Sequence, residues 1–301
     1  MKNKIIYLLI LGLLLVGYFS METRTLDQDT LALIEETRSK DKSYLWPGFN
    51  PDTYPVDVNY GKVEYRYDEG SISQQKPYLP KALSAVMEEG RPVIKVISLE
   101  DFRKGFDFGD LPRDQAGKVY QTVLIHEAFH CYQYEKGAPA IHFEKLEEMK
   151  KTGEGEDYQA FTELLARIDD DKTYQDLWLR EAQALENIQP QGKLDDWIQA
   201  KALKEDYERT FLGKDQPFFH KFASRQELLE GTARYVEDKM KADLGMDLED
   251  PWTRSYISGV EKYYRSGALK SSILDERFPD WKENISFQES AGLDELLEST
   301  K

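Results

Sequence analysis

The chain has 301 residues, 40% of them hydrophobic and 12% aromatic, enough to bury a sizeable core as one large domain or two lobes. A formal net charge of −16 repels nucleic acid and argues against docking on an anionic membrane surface. With one cysteine, Cys131, no disulfide framework can form within the chain, so stability must come from packing.

Lys2 and Lys4 precede an apolar run from Ile5 to Phe19 and then a polar stretch, the layout of an export segment. The run is short for a membrane span, yet its flank lacks a small-residue cleavage site. Residues 1–21 therefore read as either a signal peptide or a retained N-terminal membrane anchor, and both put the body, residues 22–301, outside the cytoplasm. No cysteine follows the run, which excludes a lipoprotein.

Thr30 to Lys40 has a helical pattern, and the Pro and Gly of Trp46-Pro47-Gly48-Phe49-Asn50-Pro51 mark a rigid turn. Pro55 to Tyr60 and Lys62 to Tyr67 read as strands, Glu69 to Gln75 as a turn or loop, Lys81 to Glu89 as a polar helix and Arg91 to Ser98 as a further strand. Asp114 is the expected N-cap of a helix reaching about Lys136, with Gly137 and Pro139 as stop signals. Its apolar residues run around most of its circumference, so it should be buried on nearly all sides. Beyond it, helices are expected over 141–151, 157–169, 174–188, 194–211, 221–244, 251–266 and 268–274. The expected fold class is α+β: an α+β lobe over 22–137 ending in the central helix, and a helical lobe over 138–301, together one domain.

The central helix carries His126-Glu127-Ala128-Phe129-His130. This H-E-x-x-H pattern sets two imidazoles one turn apart on one face with a carboxylate beside the first, a metal-hydrolase constellation. Chance would produce it in roughly one such chain in two hundred. His126 and His130 supply two ligands, and Glu127 is placed to take a proton from a water that the metal has acidified. No histidine follows at the metzincin spacing. A third nitrogen ligand would have to be His142 or His220; a carboxylate from a later helix is the more natural donor. Two acids compete for that post. Glu230 borders the apolar stripe of Phe222, Leu229, Ala233, Val236 and Met240, in a helix kept slim by Gly231 and Ala233 for close approach to the histidine helix; Glu181 lies in line with Tyr174, Leu177, Trp178 and Leu185.

His126-Glu-Ala-Phe-His130 followed about a hundred residues later by Glu230-Gly-Thr-Ala-Arg-Tyr-Val-Glu237 resembles the gluzincin pattern, especially peptidase-MA-like zinc metallopeptidases. The resemblance covers these two motifs and the order of elements. It implies a zincin-like fold, with a small N-terminal sheet over the histidine helix and a helical lobe delivering the third ligand, one Zn²⁺ per chain, and Glu230 as that ligand. Position 234 is Arg where several gluzincins carry an Asp that orients a ligand histidine, so that task would fall to Glu237, Asp238 or Glu181. Tyr235, Tyr263, Tyr264 and His220 are candidate donors to a developing oxyanion. Cys131 reads as a small buried hydrophobe, and Arg265 as a partner of nearby acids. The expected function is an exported or membrane-anchored zinc metallopeptidase acting on a peptide or protein substrate. The rival reading is a zincin-fold envelope module for binding or assembly, with little or no peptidase activity.

Overall fold

A computed structural model describes residues 26–39, 41–77, 83–105, 112–140, 154–188, 193–246, 255–288 and 292–301. The export segment and the helix expected over 141–151 lie outside the described residues. The fold is α+β, a five-stranded mixed sheet with a mostly helical remainder, in two compact units: Met1–Glu144 with Val236–Asp247, and Lys145–Tyr235 with Leu248–Lys301.

In the first unit, helix α1 (Gln28–Ser39) and a 3₁₀ turn (Pro51–Thr53) precede strands β1 (Val56–Asn59), β2 (Glu64–Asp68), β3 (Ser71–Gln75), β4 (Ser84–Glu88) and β5 (Arg91–Ile97). Their order is β3-β2-β1-β5-β4; β1 and β5 run parallel and the other pairs antiparallel. The segment read as a loop, Glu69 to Gln75, contains β3, and the segment read as a polar helix contains β4. Both errors share a cause. Each hairpin turns on a Glu-Gly pair with positive φ, 48° and 76° at Glu69 and Gly70, 50° and 81° at Glu89 and Gly90. Two-residue hairpins of this kind normally announce themselves with Asn or Asp before the Gly. In Ser84-Ala-Val-Met-Glu88 the strong helix formers are overruled by pairing with β5, which buries Ala85 and Val86.

One face of the sheet carries a charge network. Asp57, fully buried, accepts from Lys95 Nζ at 2.5 Å and from both arms of Arg66 at 2.7 Å. Lys95 also reaches Glu64 at 3.0 Å, and Arg66 pairs with Glu88. Each buried charge thus has an opposite charge in reach, the condition under which burial is tolerated.

Helix α2 (Leu99–Gly105) starts at Ser98, whose hydroxyl accepts from Asp101 N at 3.1 Å. Helix α3 (Arg113–Glu135) is the expected central helix, but its N-cap is Pro112, which places Asp114 inside the first turn, where its charge suits the helix dipole. From Ala116 to Tyr134 no residue of α3 is exposed. The helix lies against β4 and β5; the hydroxyls of Tyr120 and Tyr134 donate to the carbonyls of Ile97 and Ala85 at 2.8 and 3.3 Å. Phe129 packs against Trp46 and Phe49 with ring centroids 4.9 and 5.4 Å apart.

The second unit is helical: α4 (Glu154–Asp169), α5 (Lys172–Glu186), α6 (Leu194–Leu212), α7 (Gln216–Gln226), a π turn (Glu227–Gly231), α8 (Thr232–Asp243), α9 (Glu261–Arg277), α10 (Trp281–Asn284) and α11 (Leu293–Glu298). Its core gathers Phe161, Ile168, Tyr174, Trp178, Phe219 and Tyr263. Helices α7 and α8 and the π turn form one uninterrupted helical run, and α8 carries the chain from this unit into the first at Tyr235–Val236. The helices expected over 251–266 and 268–274 are instead one, α9, which begins at Glu261 and passes through Gly267 without a break. Gly267 is where α9 meets the π turn: a Cβ on Gly231 would stand 2.5 Å from Gly267 Cα. The slimness of this helix at Gly231 thus serves contact with α9, where approach to the histidine helix was expected.

Candidate metal centre

His126 and His130 lie one turn apart on α3, with Glu127 half-buried beside the first. The Nε2 atoms of the two imidazoles are 3.1 Å apart. Their other nitrogens are engaged: His126 Nδ1 donates to Glu237 Oε2 at 3.0 Å, and His130 Nδ1 donates to Gln133 Oε1 at 2.7 Å. Carboxylate and amide oxygens only accept, so each Nδ1 carries a proton, and in the neutral form of either ring Nε2 then presents a lone pair. Two lone pairs facing each other at 3.1 Å repel; a proton or a metal ion between them reverses the sign. Two nitrogens bound to one tetrahedral zinc, with bonds of 2.0–2.1 Å, stand about 3.3 Å apart. The donor set therefore fits a borderline metal such as zinc.

Glu230 is the third candidate. A carboxylate oxygen of Glu230 and a ring nitrogen of each histidine lie within 4.8 Å of one another. The residue is half-buried and belongs to the π turn, a local widening of the helix that recurs at functional sites. Glu237 follows two turns later in the same helical run. Its second oxygen, Oε1, holds Lys241 Nζ at 2.7 Å, and Lys241 also pairs with Asp238 at 3.4 Å. Lys241, Glu237 and His126 thus form a chain of contacts behind the imidazole, with Lys241 8% and Glu237 9% exposed. The orienting partner that Arg234 does not supply is Glu237.

Other residues singled out by sequence are held elsewhere. Glu181 is buried on α5 and pairs with Lys204 on α6 at 2.7 Å, so its carboxylate has a structural partner. Tyr235 is 2% exposed; its hydroxyl donates to Asp275 and accepts from Lys282 at 2.7 Å, and burial with the Asp275 contact pushes its ionisation well above the ordinary range. Tyr263 is packed in the core of the second unit, while Tyr264 on α9 and His220 on α7 are half-buried. His142 lies outside the described residues. Arg265 pairs with Glu261 at 2.9 Å, and Cys131 is a fully buried thiol whose ionisation is suppressed by burial and by the charges of Glu127 and Glu135.

Sequence reading missed two members of the site and one neighbour. Gln133 and Lys241 are of types that surface helices carry in quantity, and nothing in their spacing marks them. Tyr158 on α4 has its hydroxyl ionisation raised by burial and then by the Glu230 charge, which puts a phenol in the electrostatic neighbourhood of Glu230. Among the described residues, no helix is long and apolar enough to cross a membrane. Comparison with protein-family models, with curated proteins and with solved structures finds no match to this chain.

Proposed function

We infer that the protein is a zinc-dependent peptidase of gluzincin type, with His126, His130 and Glu230 as ligands and Glu127 as general base. The observation that carries the reading is the convergence of the two Nε2 lone pairs at 3.1 Å, each imposed by an acceptor on the opposite ring nitrogen. Such an arrangement is electrostatically unfavourable without a cation and ordinary with one. A five-stranded mixed sheet backed by the histidine helix is in keeping with a zincin-like fold.

A bound divalent cation supplies Lewis acidity toward water and toward a peptide carbonyl. The remaining work belongs to the chain. Glu127 takes the proton from the attacking water on its carboxylate and returns it to the amide nitrogen as the scissile bond breaks. Glu237 keeps His126 in the Nδ1–H form, so that Nε2 stays a donor throughout. Burial of α3 withholds bulk water from the ligand face, which strengthens each of these interactions. The substrate class is a peptide or protein, and the export segment places the reaction outside the cytoplasm, with the body either released or held at the membrane by its N-terminus.

Purified protein is expected to hold about one zinc per chain. His126→Ala should lose the metal. Glu127→Gln should keep it while peptide hydrolysis, followed on a broad peptide library, falls by about 10²-fold or more. Wild-type protein without stoichiometric metal, or a Glu127→Gln variant as active as wild type, would overturn the reading.

A further inference from the structure

Gln133 stands apart in the metal centre because it is neutral. The partner of His126 is a carboxylate backed by a lysine, whereas His130 is held by an amide on its own helix, three residues on. Gln133 is fully buried and its Oε1 lies 2.7 Å from His130 Nδ1. Imidazole has two neutral tautomers of similar energy, and one of them, Nε2–H, points a proton where a metal ligand needs a lone pair. With its oxygen toward the ring, as in this structure, the amide accepts from Nδ1–H and selects the other tautomer, whereas its NH2 in that place would select Nε2–H.

Helix geometry makes the contact local. Residues three apart share a face, and the side chain of a helical residue leans back toward the N-terminus, so Gln133 reaches the His130 ring without help from another element. A neutral acceptor also leaves the charge count of the site unchanged. With a carboxylate at position 133, a second buried anion would stand behind the histidines. The local pattern in this chain is therefore longer than five residues: His126-Glu127-Ala-Phe-His130-Cys-Tyr-Gln133, in which the last position touches the ring of the second histidine.

We propose that Gln133 is a positioning residue for the metal centre, locking the His130 ring in the Nδ1–H form with its Nε2 lone pair aimed at the ion. The proposal rests on His126 and His130 being ligands, and it makes a claim about the metal-free protein as well. The test compares wild type with Gln133→Met, which keeps the length of the side chain and removes the acceptor, and with Gln133→Glu, which restores it. Zinc affinity is measured by competition with a chelator, and the His130 tautomer is read from ring ¹⁵N shifts of the metal-free protein.

Gln133→Met should bind zinc about 10–100-fold more weakly than wild type, with His130 moving toward the Nε2–H form. Gln133→Glu should restore the Nδ1–H form and bind zinc within about tenfold of wild type. Should Gln133→Met fail to fold, Gln133→Asn, which keeps the amide and shortens its reach, carries the same expectation. A Gln133→Met protein with the wild-type tautomer and wild-type zinc affinity overturns the proposal. Absence of zinc from wild type overturns the metal reading instead, and the tautomer comparison then decides the role of Gln133 alone.

Discussion

Lys262 is the most constrained cation of the helical unit. Its ammonium is fully buried, pairs with Asp169, lies 2.9 Å from the Tyr256 hydroxyl, and stands 4.9, 5.3 and 5.2 Å from the ring centroids of Tyr174, Tyr256 and Tyr263. Loss of solvation outweighs the attraction of Asp169 and draws its pKa down from 10.5 to about 8. Between those two values the unfolded chain holds a proton that the folded chain has shed, so this residue makes stability rise with pH from about 8. Cys131 acts in the opposite sense above its ordinary value of 9.0, because burial keeps the folded thiol protonated. The clean window is therefore pH 8 to 9. Over it, wild type should gain about 1 kcal/mol relative to Lys262→Met in urea unfolding; parallel pH dependences would refute the assignment. None of this could be read from the sequence, where Lys262 precedes two tyrosines in an apparently amphipathic stretch. His126, Glu127 and His130 were legible for the converse reason, since a metal motif on one helix needs only local spacing. Gln133 shares that helix but not a recognisable residue type. Lys241 acts through Glu237, and its contact depends on a rotamer.

At the scale of elements, the α3 helix, strands β1, β2 and β5, and helices α4 to α6 were visible in hydrophobic periodicity. The β3 and β4 hairpins were not, because Glu-Gly turns carry no strong signal and the β4 segment has helical propensity. The contact between Gly231 and Gly267 was equally hidden: small residues in a helix show that something comes close, but not which element. Its energetics can be decided by magnitude. Gly→Ala within a helix ordinarily stabilises by about 1 kcal/mol. At Gly231, however, the new methyl would meet backbone atoms of α9 at 2.5 and 2.9 Å, where no side chain can swing aside. Overpacking of that kind costs about 3 kcal/mol or more when two backbones must separate. Gly231→Ala should therefore be destabilised by about 2 kcal/mol net, measured by urea unfolding. A neutral or stabilising outcome would show that the helices do not meet there.

The whole molecule divides in a way no linear reading anticipates. An α+β part followed by a helical part was expected, whereas the first compact unit also claims Val236–Asp247, a return of the chain from about a hundred residues further on. Lys42 Nζ, 3.6 Å from Met240 Sδ, and the Tyr44 hydroxyl, 2.8 Å from Asp243, tie that returning helix to the N-terminal part of the unit. The proposed ligands come from distant stretches of one chain, so metal binding would be a property of the folded state. Free zinc at about a hundred times its dissociation constant should then stabilise the protein by about 2.7 kcal/mol. The thermal midpoint should rise by about 4–5 °C. In His130→Ala the midpoint should not respond to zinc, and an equal rise there would assign the effect to other sites.

The π turn at Glu227–Gly231 has a genetic meaning as well as a geometric one. A π turn is what a helix looks like after absorbing one residue more than its regular spiral accommodates. Excising a single codon from this segment would remove the bulge and restore an even spiral with the flanking turns left in phase, so that only the residues of the turn itself, Glu230 among them, change the direction they face. The histidine helix α3 would be untouched, yet Glu230 would face elsewhere. The proposed site is thus exposed to in-frame deletion at a place where an ordinary helix would rotate as a whole, and a descendant that lost one residue there could keep the H-E-x-x-H signature intact while losing the third proposed ligand.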